Sequence, residues 1–255
     1  MLLGVDVGGT FTDAVLAVDG RLVTAKAPTT PDDQSRGVMA AIAAALERAG
    51  RDPGEVEAFA HGMTVATNAL LEGRGARTAL LATEGFTDVV ELGRQARAQL
   101  YRLCAAHPAP LVPPQRRVAV AERALPDGIL RPLTDDAIDA ALDALAAHEP
   151  ESVAVVLLHS YAHPEHERRL GAAIAARMPG VHVSLSHDVV GTFREVERAA
   201  TTEVDAALSP LLSRYLDALA DRASGAGLPE PQIMQSSGGL APLPTAAARS
   251  ASASR

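Results

Sequence analysis

Two short apolar runs, Leu2–Val7 and Phe11–Val18, lie on either side of a glycine pair near the start of the chain. Their length and their β-branched residues are typical of strands. A third run, Arg21–Lys26, follows an Asp-Gly turn signal, so the three runs predict an antiparallel meander. Helical periodicity then extends from the Pro-Asp-Asp sequence at 31–33 to about Ala49, and Gly50 ends it.

Beyond this helix, the apolar pattern alternates between strand and helix periods. The predicted strands are Glu57–Ala60, Arg77–Ala82, Arg117–Glu122, Ser152–Leu158, Val181–Leu185 and Gln232–Gln235. The predicted helices are Val65–Leu71, Phe86–Leu92, Asp135–His148, Pro164–Arg177 and Glu195–Ala220, with Thr64 and Thr134 as N-caps of the first and third. Ser152–Leu158 is apolar throughout, which indicates a strand covered on both faces. The alternation predicts an α/β protein with a mixed sheet.

Two segments lack a clear period. The proline-rich stretch from Arg94 to Pro114 predicts a loop or linker, and it contains Cys104, the only cysteine. The last segment, 241–255, has low complexity and is predicted to be disordered.

Composition excludes several classes of protein. A net charge of −8 argues against a surface that coats nucleic acid. Lys26 is the only lysine, so the chain has no lysine for a P-loop. A single cysteine excludes an intrachain disulfide and a thiolate zinc site. No stretch is long and apolar enough to span a membrane, so we expect a cytoplasmic protein without a membrane partner.

The glycine pair, Gly8 and Gly9, has two readings. It can be a plain tight hairpin with exposed acids, or a turn whose amides converge on an anion such as phosphate. The surrounding string D-x-G-G-T-x-T-D is more restrictive than two glycines. Thr10 and Thr12 add hydroxyl donors, and we therefore expect a phosphate-binding turn.

Two acids flank this turn. Asp6, at the end of the first strand, is placed to hold a hydrated Mg²⁺, because this ion keeps its waters and takes few carboxylates. Asp13 can hold a second water or orient the ligands of the ion.

Four segments resemble one family. The stretch Gly4–Leu16 resembles the first phosphate loop of the actin/hexokinase/Hsp70 ATPase superfamily. The stretches His61–Gln95, Phe193–Pro210 and Met234–Leu240 resemble motifs of its hydantoinase A/5-oxoprolinase family, which includes subunits of acetone- and acetophenone-type carboxylases. The similarity extends to about Leu240. Three residues depart from the family pattern, namely Met63 in place of Thr, Val196 in place of Tyr and Asp205 in place of Asn.

This resemblance implies an actin/hexokinase-like (ribonuclease H-like) lobe with a mixed sheet and an inserted α/β subdomain. We expect the lobe at 1–82, the insertion at 83–180, a return to the lobe at 181–240 and the disordered tail at 241–255. Family members are longer and carry a second glycine-rich loop. The chain is therefore expected to be an N-terminal portion, incomplete relative to the family.

The activity implied by the resemblance is ATP-dependent opening of a cyclic amide such as hydantoin or 5-oxoproline, with ATP and Mg²⁺ as cofactors. Asp6, Asp13 and His61 are then the expected catalytic residues. The expected partners are a small cyclic amide and a second hydantoinase-type polypeptide or missing C-terminal half. The alternatives are a carboxylase subunit that phosphorylates an enol, a small-molecule kinase, and a non-catalytic fragment that binds its missing half.

Further candidate substrate-binding residues follow the predicted strands or begin the long helix. They are Thr64, Thr67, Asn68, Arg94, Arg198 and Thr202. Each has a structural alternative, such as a helix cap, a helix-end arginine or a solvated charged face. The histidines of the sequence HSYAHPEHE at 159–167 suggest a metal site, but their spacing around Pro164 favours capping or packing.

Overall fold

The structure, a computed structural model, describes residues 1–96, 98–102, 105, 107–235 and 238–243. Its internal contacts divide the chain into two units. The first unit is Met1–Arg74 together with the chain from Leu211 onward, and the second unit is Gly75–Pro210.

Strands and helices alternate along the described chain. The strands are β1 (Leu2–Val7), β2 (Phe11–Val18), β3 (Arg21–Pro28), β4 (Ala58–Met63), β5 (Thr78–Thr83), β6 (Arg117–Val120), β7 (Arg123–Leu125), β8 (Gly128–Arg131), β9 (Ser152–Val156), β10 (His182–Leu185), β11 (Pro231–Met234) and β12 (Leu240–Pro242). The helices are α1 (Gln34–Ala49), α2 (Val65–Leu71), α3 (Val89–Leu92), α4 (Asp135–Ala146), α5 (Glu165–Arg177), α6 (Ser186–Val189) and α7 (Glu195–Gly225).

A mixed six-stranded sheet forms the first unit, in the order β12-β11-β4-β1-β2-β3. The meander β1-β2-β3 is antiparallel, as predicted, and β4 runs parallel to β1 and to β11. Alternate residues such as Val5, Leu16 and Phe59 are buried on one face, where α1 packs. The opposite face leaves Leu2 58% and Leu22 71% exposed.

Local chemistry explains where the helices begin and end. Asp33 accepts a hydrogen bond from the amide of Ser35 at 3.1 Å and starts α1, and Gly50 ends it in the left-handed region at φ 62°. Thr134 caps α4 as predicted, accepting from the amide of Ala137 at 3.2 Å. Thr64 is the N-cap residue of α2, as predicted, but its hydroxyl makes no capping bond and donates to the carbonyl of Val7.

A four-stranded, fully parallel sheet forms the second unit, in the order β10-β9-β5-β6. One face packs on α4 and α5 through residues such as Leu145 and Ile174. The other face packs on Ala199 and Ala206 of α7. Every residue of β9 is buried, as expected for a strand covered on both faces, although the strand ends at Val156 and not at Leu158.

The unit boundaries at 74/75 and 210/211 differ from the expected boundaries at 82/83 and 180/181. β5 is a central strand of the second sheet, so residues 75–82 belong to the second unit. β10 pairs with β9 in that same sheet, which carries the second unit past residue 181. Pro210 lies inside α7, where it removes one helical hydrogen bond at the point where the unit assignment changes.

Some elements were not anticipated. The hairpin β7–β8 turns at Asp127-Gly128, a turn signal within a segment for which no strand pair was predicted. β12 contradicts the expected disorder at residues 241 and 242, because it pairs with β11. Cys104, Ser236, Ser237 and the chain beyond residue 243 lie outside the described residues. Among the described helices, none is both long and apolar enough to cross a membrane.

Candidate functional site

The glycine turn of the first unit joins β1 to β2. The amide of Gly8 donates to the carbonyl of Phe11 at 3.0 Å, so one of the three expected anion donors is already used. The amides of Gly9 and Thr10 donate to no described residue, and both residues are exposed. Two adjacent main-chain donors therefore face solvent at this turn, as an anion-binding turn requires.

The need for glycine here is steric. Neither Gly8 nor Gly9 is among the described residues with a backbone in the left-handed region. A Cβ on Gly8 would lie 3.1 Å from the carbonyl oxygen of Phe11, closer than a side chain normally approaches. Gly8 thus permits the tight hairpin, and the hairpin leaves the next two amides free.

Two buried threonines hold the turn in place. Thr12 is fully buried, and its hydroxyl lies 3.2 Å from that of Thr29. Thr29 in turn donates its hydroxyl to the carbonyl of Gly8 at 2.9 Å and its amide to the carbonyl of Thr10 at 2.9 Å. The expectation that Thr12 binds phosphate directly is therefore corrected, since strand alternation turns it toward the core. Thr29 was not anticipated, because only the paired strands bring it to the turn.

Asp6 is an exposed carboxylate beside this turn. It makes no hydrogen bond or ion pair with any described residue. A Cβ on Gly62, its neighbour on β4, would lie 3.3 Å from Asp6 Oδ1, so glycine at that position leaves room beside the carboxylate. A free acid next to free amides and an exposed threonine hydroxyl is the donor set that a hydrated Mg²⁺ with a phosphate needs. The described residues contain no cluster of three or more metal-ligating side chains, so such an ion would be held largely through water and phosphate.

Asp13 faces Asp6 directly across the β1–β2 ladder. Its carboxylate lies 3.2 Å from the ammonium of Lys26, and both side chains are about half exposed. This ion pair occupies Asp13 and does not support the predicted catalytic role.

The start of α2 contacts the glycine turn. Thr64 donates its hydroxyl to the carbonyl of Val7 at 3.1 Å, and Asn68 Nδ2 lies 3.3 Å from that hydroxyl oxygen. A Cβ on Gly9 would lie 3.8 Å from Asn68 Nδ2. The structure therefore brings Thr64 and Asn68 to the turn, whereas the sequence predicts them as substrate-binding residues. Thr67 is exposed on the same helix and makes no contact that ties it to the turn.

His61 does not belong to this site. It precedes Gly62 on β4, so alternation places it on the buried face, opposite in direction to Asp6. Its Nε2 lies 2.7 Å from the hydroxyl of Tyr215, and its side chain is fully buried. Burial lowers the pKa of His61 to about 4, so the ring is neutral at pH 7. The predicted catalytic role is corrected to a packing role in the core.

Arg94 of the second unit is engaged by a carboxylate. Its Nε and one terminal nitrogen lie 3.1 Å and 2.6 Å from the two carboxylate oxygens of Glu197. This hydrogen bond holds the pKa of Glu197 below its usual value. A forked pair of this kind leaves Arg94 less available for a ligand than the sequence suggests.

Arg198 and Thr202 are buried supports within the second unit. Arg198 donates to Ser186 Oγ at 3.1 Å and to the carbonyls of Leu157 and Thr192 at 2.9 Å and 2.7 Å. Burial lowers the pKa of its guanidinium. Thr202 donates back to the carbonyl of Arg198 at 2.7 Å. Neither residue presents a free polar group to a ligand, which corrects the expectation that they line a cleft.

A buried acid network lies at the carboxyl ends of the second sheet, and the sequence analysis missed it. Glu122 lies 2.8 Å from His166 Nδ1 and accepts a hydrogen bond from Thr83. Glu167 accepts hydrogen bonds from Ser186 Oγ and from the amide and ring of His187. His166 also accepts from the amide of Leu133, so it has the packing role expected for it.

Comparison with known proteins adds the family context. The model of the hydantoinase/oxoprolinase N-terminal region matches residues 2–178. The chain is 36% identical to caprolactamase subunit alpha of Pseudomonas jessenii over 94% of its own length and 36% of that subunit. It is 32% identical to 5-oxoprolinase 1 of Arabidopsis thaliana over 93% of its length and 21% of that protein.

Two solved structures have the same fold. The crystal structure of the ATP-dependent caprolactamase from Pseudomonas jessenii superposes with a TM-score of 0.85 at 34% identity, covering 95% of this chain and 36% of that chain. A nucleotide-free acetone carboxylase structure superposes with a TM-score of 0.86 at 25% identity, covering 99% and 38%. The chain therefore spans little more than a third of the solved chains that it matches.

Proposed function

Because the chain belongs to the hydantoinase/oxoprolinase family, we propose that it is the N-terminal part of an ATP-dependent hydrolase that opens a cyclic amide. The observation that carries the proposal is the glycine turn, where two unpaired amides lie beside an unpaired carboxylate. In this proposal the first unit is one lobe of an actin-like ATPase and the second unit is an α/β insertion into it.

The proposed role of each site residue follows from the donor or acceptor that it leaves without a partner among the described residues. The amides of Gly9 and Thr10 and the hydroxyl of Thr10 bind a phosphate of ATP, and Asp6 holds Mg²⁺ through water. The ion supplies charge neutralisation on the transferred phosphoryl group. Thr64 and Asn68 keep the turn in its binding geometry.

The binding free energy available at the glycine turn is too small for tight ATP binding, so the nucleotide site needs contacts from further polypeptide. Each charge-assisted hydrogen bond contributes roughly 1.5–3 kcal/mol, whereas micromolar binding needs about 8 kcal/mol. Two amides and a hydroxyl hold a phosphate only weakly and leave the adenosine without contacts. The remaining two thirds of the family length, in the same or a second polypeptide, complete the nucleotide site.

The proposed reaction transfers the γ-phosphoryl group of ATP to the amide oxygen of the ring and releases ADP. The ring carbon then becomes electrophilic enough for attack by water. The C–N bond breaks as the nitrogen takes its protons from the attacking water, which leaves an acyl phosphate and a free amine. A second water then hydrolyses the acyl phosphate to a carboxylate and inorganic phosphate, so that a lactam gives an amino acid. The names of two relatives, a caprolactamase and a 5-oxoprolinase, support a cyclic amide as the substrate class.

A second candidate function is that of a subunit of an ATP-dependent carboxylase, which would phosphorylate an enol in place of an amide. The similarity to acetone carboxylase over 99% of the chain supports this alternative. A third candidate is a non-catalytic fragment that binds the polypeptide carrying the missing half.

Substrate-dependent ATP turnover distinguishes these candidates. The protein is combined with the polypeptide that corresponds to the rest of the family length, and ADP release is measured with 5-oxoproline, hydantoin or caprolactam, and with acetone plus bicarbonate. We expect stimulation by a cyclic amide and none by the chain alone. Stimulation by acetone with bicarbonate only would favour the carboxylase, and no turnover with any substrate would favour the fragment.

The variant Asp6→Asn tests the assigned site in the same assay. We expect turnover to fall by about 100-fold or more, because the metal-bound phosphate loses its anchoring carboxylate. The matched control is Asp19→Asn, at the other hairpin turn of the meander, where Asp19 pairs with Arg51. Equal turnover in both variants would remove Asp6 from the mechanism.

A further inference from the structure

The second unit has a topological switch point. The chain passes from β5 outward to β6, returns across β5 to β9, and then continues outward to β10 on the other side. The connections that leave β5 and β9 therefore diverge, and a crevice opens between the carboxyl ends of these two strands. Open parallel sheets bind ligands at this position.

The structure contains a crevice at that place, with a volume of about 520 Å³. Gly85 and Phe86, just after β5, form one wall, and Leu158 and His159, just after β9, form another. Val89 and Val196 add further apolar surface. All of these residues belong to the second unit, so the crevice shares no residue with the glycine turn of the first unit.

Two residues of the crevice have an uncommon backbone conformation. His159 has φ 56° and Gln95 has φ 55°, the left-handed region that non-glycine residues seldom adopt. Such residues are concentrated at ligand-binding sites, where the surrounding structure maintains the strain.

Arg123 is the cation of the crevice that forms no ion pair with a described residue. Its guanidinium carbon lies 4.4 Å from the centre of the Phe86 ring, and the residue is partly buried. No carboxylate of a described residue lies within 4.0 Å of it, whereas Arg94, Arg117 and Arg131 each pair with a glutamate. The guanidinium is thus held over an apolar wall, and no described side chain or carbonyl accepts a hydrogen bond from it.

We propose that this crevice binds a small organic monocarboxylate, whose carboxylate pairs with Arg123 and whose carbon body packs on Phe86, Val89 and Leu158. A planar guanidinium is suited to pair with a carboxylate through two parallel hydrogen bonds. Asp88 and Glu195 also line the crevice, and their negative charges disfavour phosphates and other polyanions. The ligand of this crevice therefore differs in class from the nucleotide phosphate assigned to the first unit.

Methyl NMR of the intact chain tests the proposal with hexanoate as the probe. Hexanamide has the same shape without the charge, and inorganic phosphate is a charged control. We expect saturable hexanoate binding with a dissociation constant of about 1 mM or tighter, and shifts centred on the methyl groups of Val89, Leu158 and Val196. Hexanamide should bind at least about tenfold more weakly, and phosphate should not shift these signals.

The variant Arg123→Gln is expected to weaken hexanoate binding at least about tenfold and to leave hexanamide binding unchanged. The matched control is Arg131→Gln, because Arg131 faces Arg123 across the β7–β8 hairpin and pairs with Glu84 outside the crevice. Unchanged core methyl signals show that each variant is folded. The proposal is overturned if hexanoate does not bind, if hexanamide binds equally well, or if both variants weaken hexanoate equally.

Discussion

The two units differ in the burial and hydrogen bonding of their carboxylates. In the first unit, Asp6 is exposed and bonds to no described residue. In the second unit, Glu167 is fully buried and accepts hydrogen bonds from the amides of Leu157 and His187 and from the side chains of Ser186 and His187. A buried charge must be paired, because desolvation otherwise costs several kcal/mol, whereas an exposed charge can remain free. A charged side chain with many hydrogen-bond partners therefore supports the fold, whereas a charged side chain without them is a candidate for binding a ligand.

The arginines within the second unit show the same contrast. Arg198 is fully buried and donates three hydrogen bonds, while Arg123 rests on a ring without a carboxylate partner. A sequence motif cannot tell these two situations apart, because both residues are arginines near predicted element ends. If this contrast holds, replacing a paired buried charge lowers stability, and replacing an unpaired exposed charge does not.

The largest expected effect is at Glu167. Replacing it by alanine leaves the buried amides of Leu157 and His187 without their acceptor and removes the negative charge near buried Arg198. We expect the free energy of unfolding to fall by about 3–5 kcal/mol, measured by urea denaturation.

Glu165→Ala is the matched control for this variant. Glu165 lies in the same first turn of α5, is exposed and makes no side-chain hydrogen bond to a described residue, so its loss should cost less than about 1 kcal/mol. Similar losses in the two variants would mean that the buried network contributes nothing beyond the helix dipole.

The second largest effect is the dependence of stability on pH, which has opposite signs in the two units. Burial raises the pKa of Glu203, in the second unit, to about 7 from the usual 4.5. The folded state then binds more protons than the unfolded state between these values. The second unit therefore loses stability as pH rises from 4.5 through 7, by about 3 kcal/mol at most. Glu203→Gln should remove this slope, as read from hydrogen exchange of the β9 amides.

His61 gives the first unit the reverse dependence. Its pKa is about 4 in the folded state and 6.5 in the unfolded state, so the unfolded state binds more protons in this window. Stability is full above pH 6.5 and is lost as pH falls toward 4. The protection factors of the β1 amides should therefore fall on acidification while those of the β9 amides rise. Parallel changes in both units would contradict the assigned burial of one of these groups.

The sequence predicted the local elements well and the contacts between distant residues poorly. The meander, α1 and α4 were predicted because alternation, helical period and capping residues all agree there. Strand alternation alone predicts that Thr12 and His61 face the core. The family resemblance instead led to their assignment as site residues. The partners Thr29 and Tyr215 had no local signal, since only pairing of distant strands and packing of α7 bring them to those residues.

The smallest expected effect is on the stability of the first unit at its candidate site. The Asp6 carboxylate bonds to no described residue and faces Asp13 across the ladder, where two like charges destabilise the strand pair. Asp6→Asn should therefore leave the free energy of unfolding unchanged or raise it by about 0.2–0.5 kcal/mol. Asp13→Asn relieves the same repulsion but loses the exposed ion pair with Lys26, which contributes at most about 1 kcal/mol, so this variant should be less stable than Asp6→Asn. Urea denaturation of both variants measures this. A loss above 1 kcal/mol for Asp6→Asn would mean that its carboxylate supports the fold, and the contrast with Glu167 would no longer identify a ligand site.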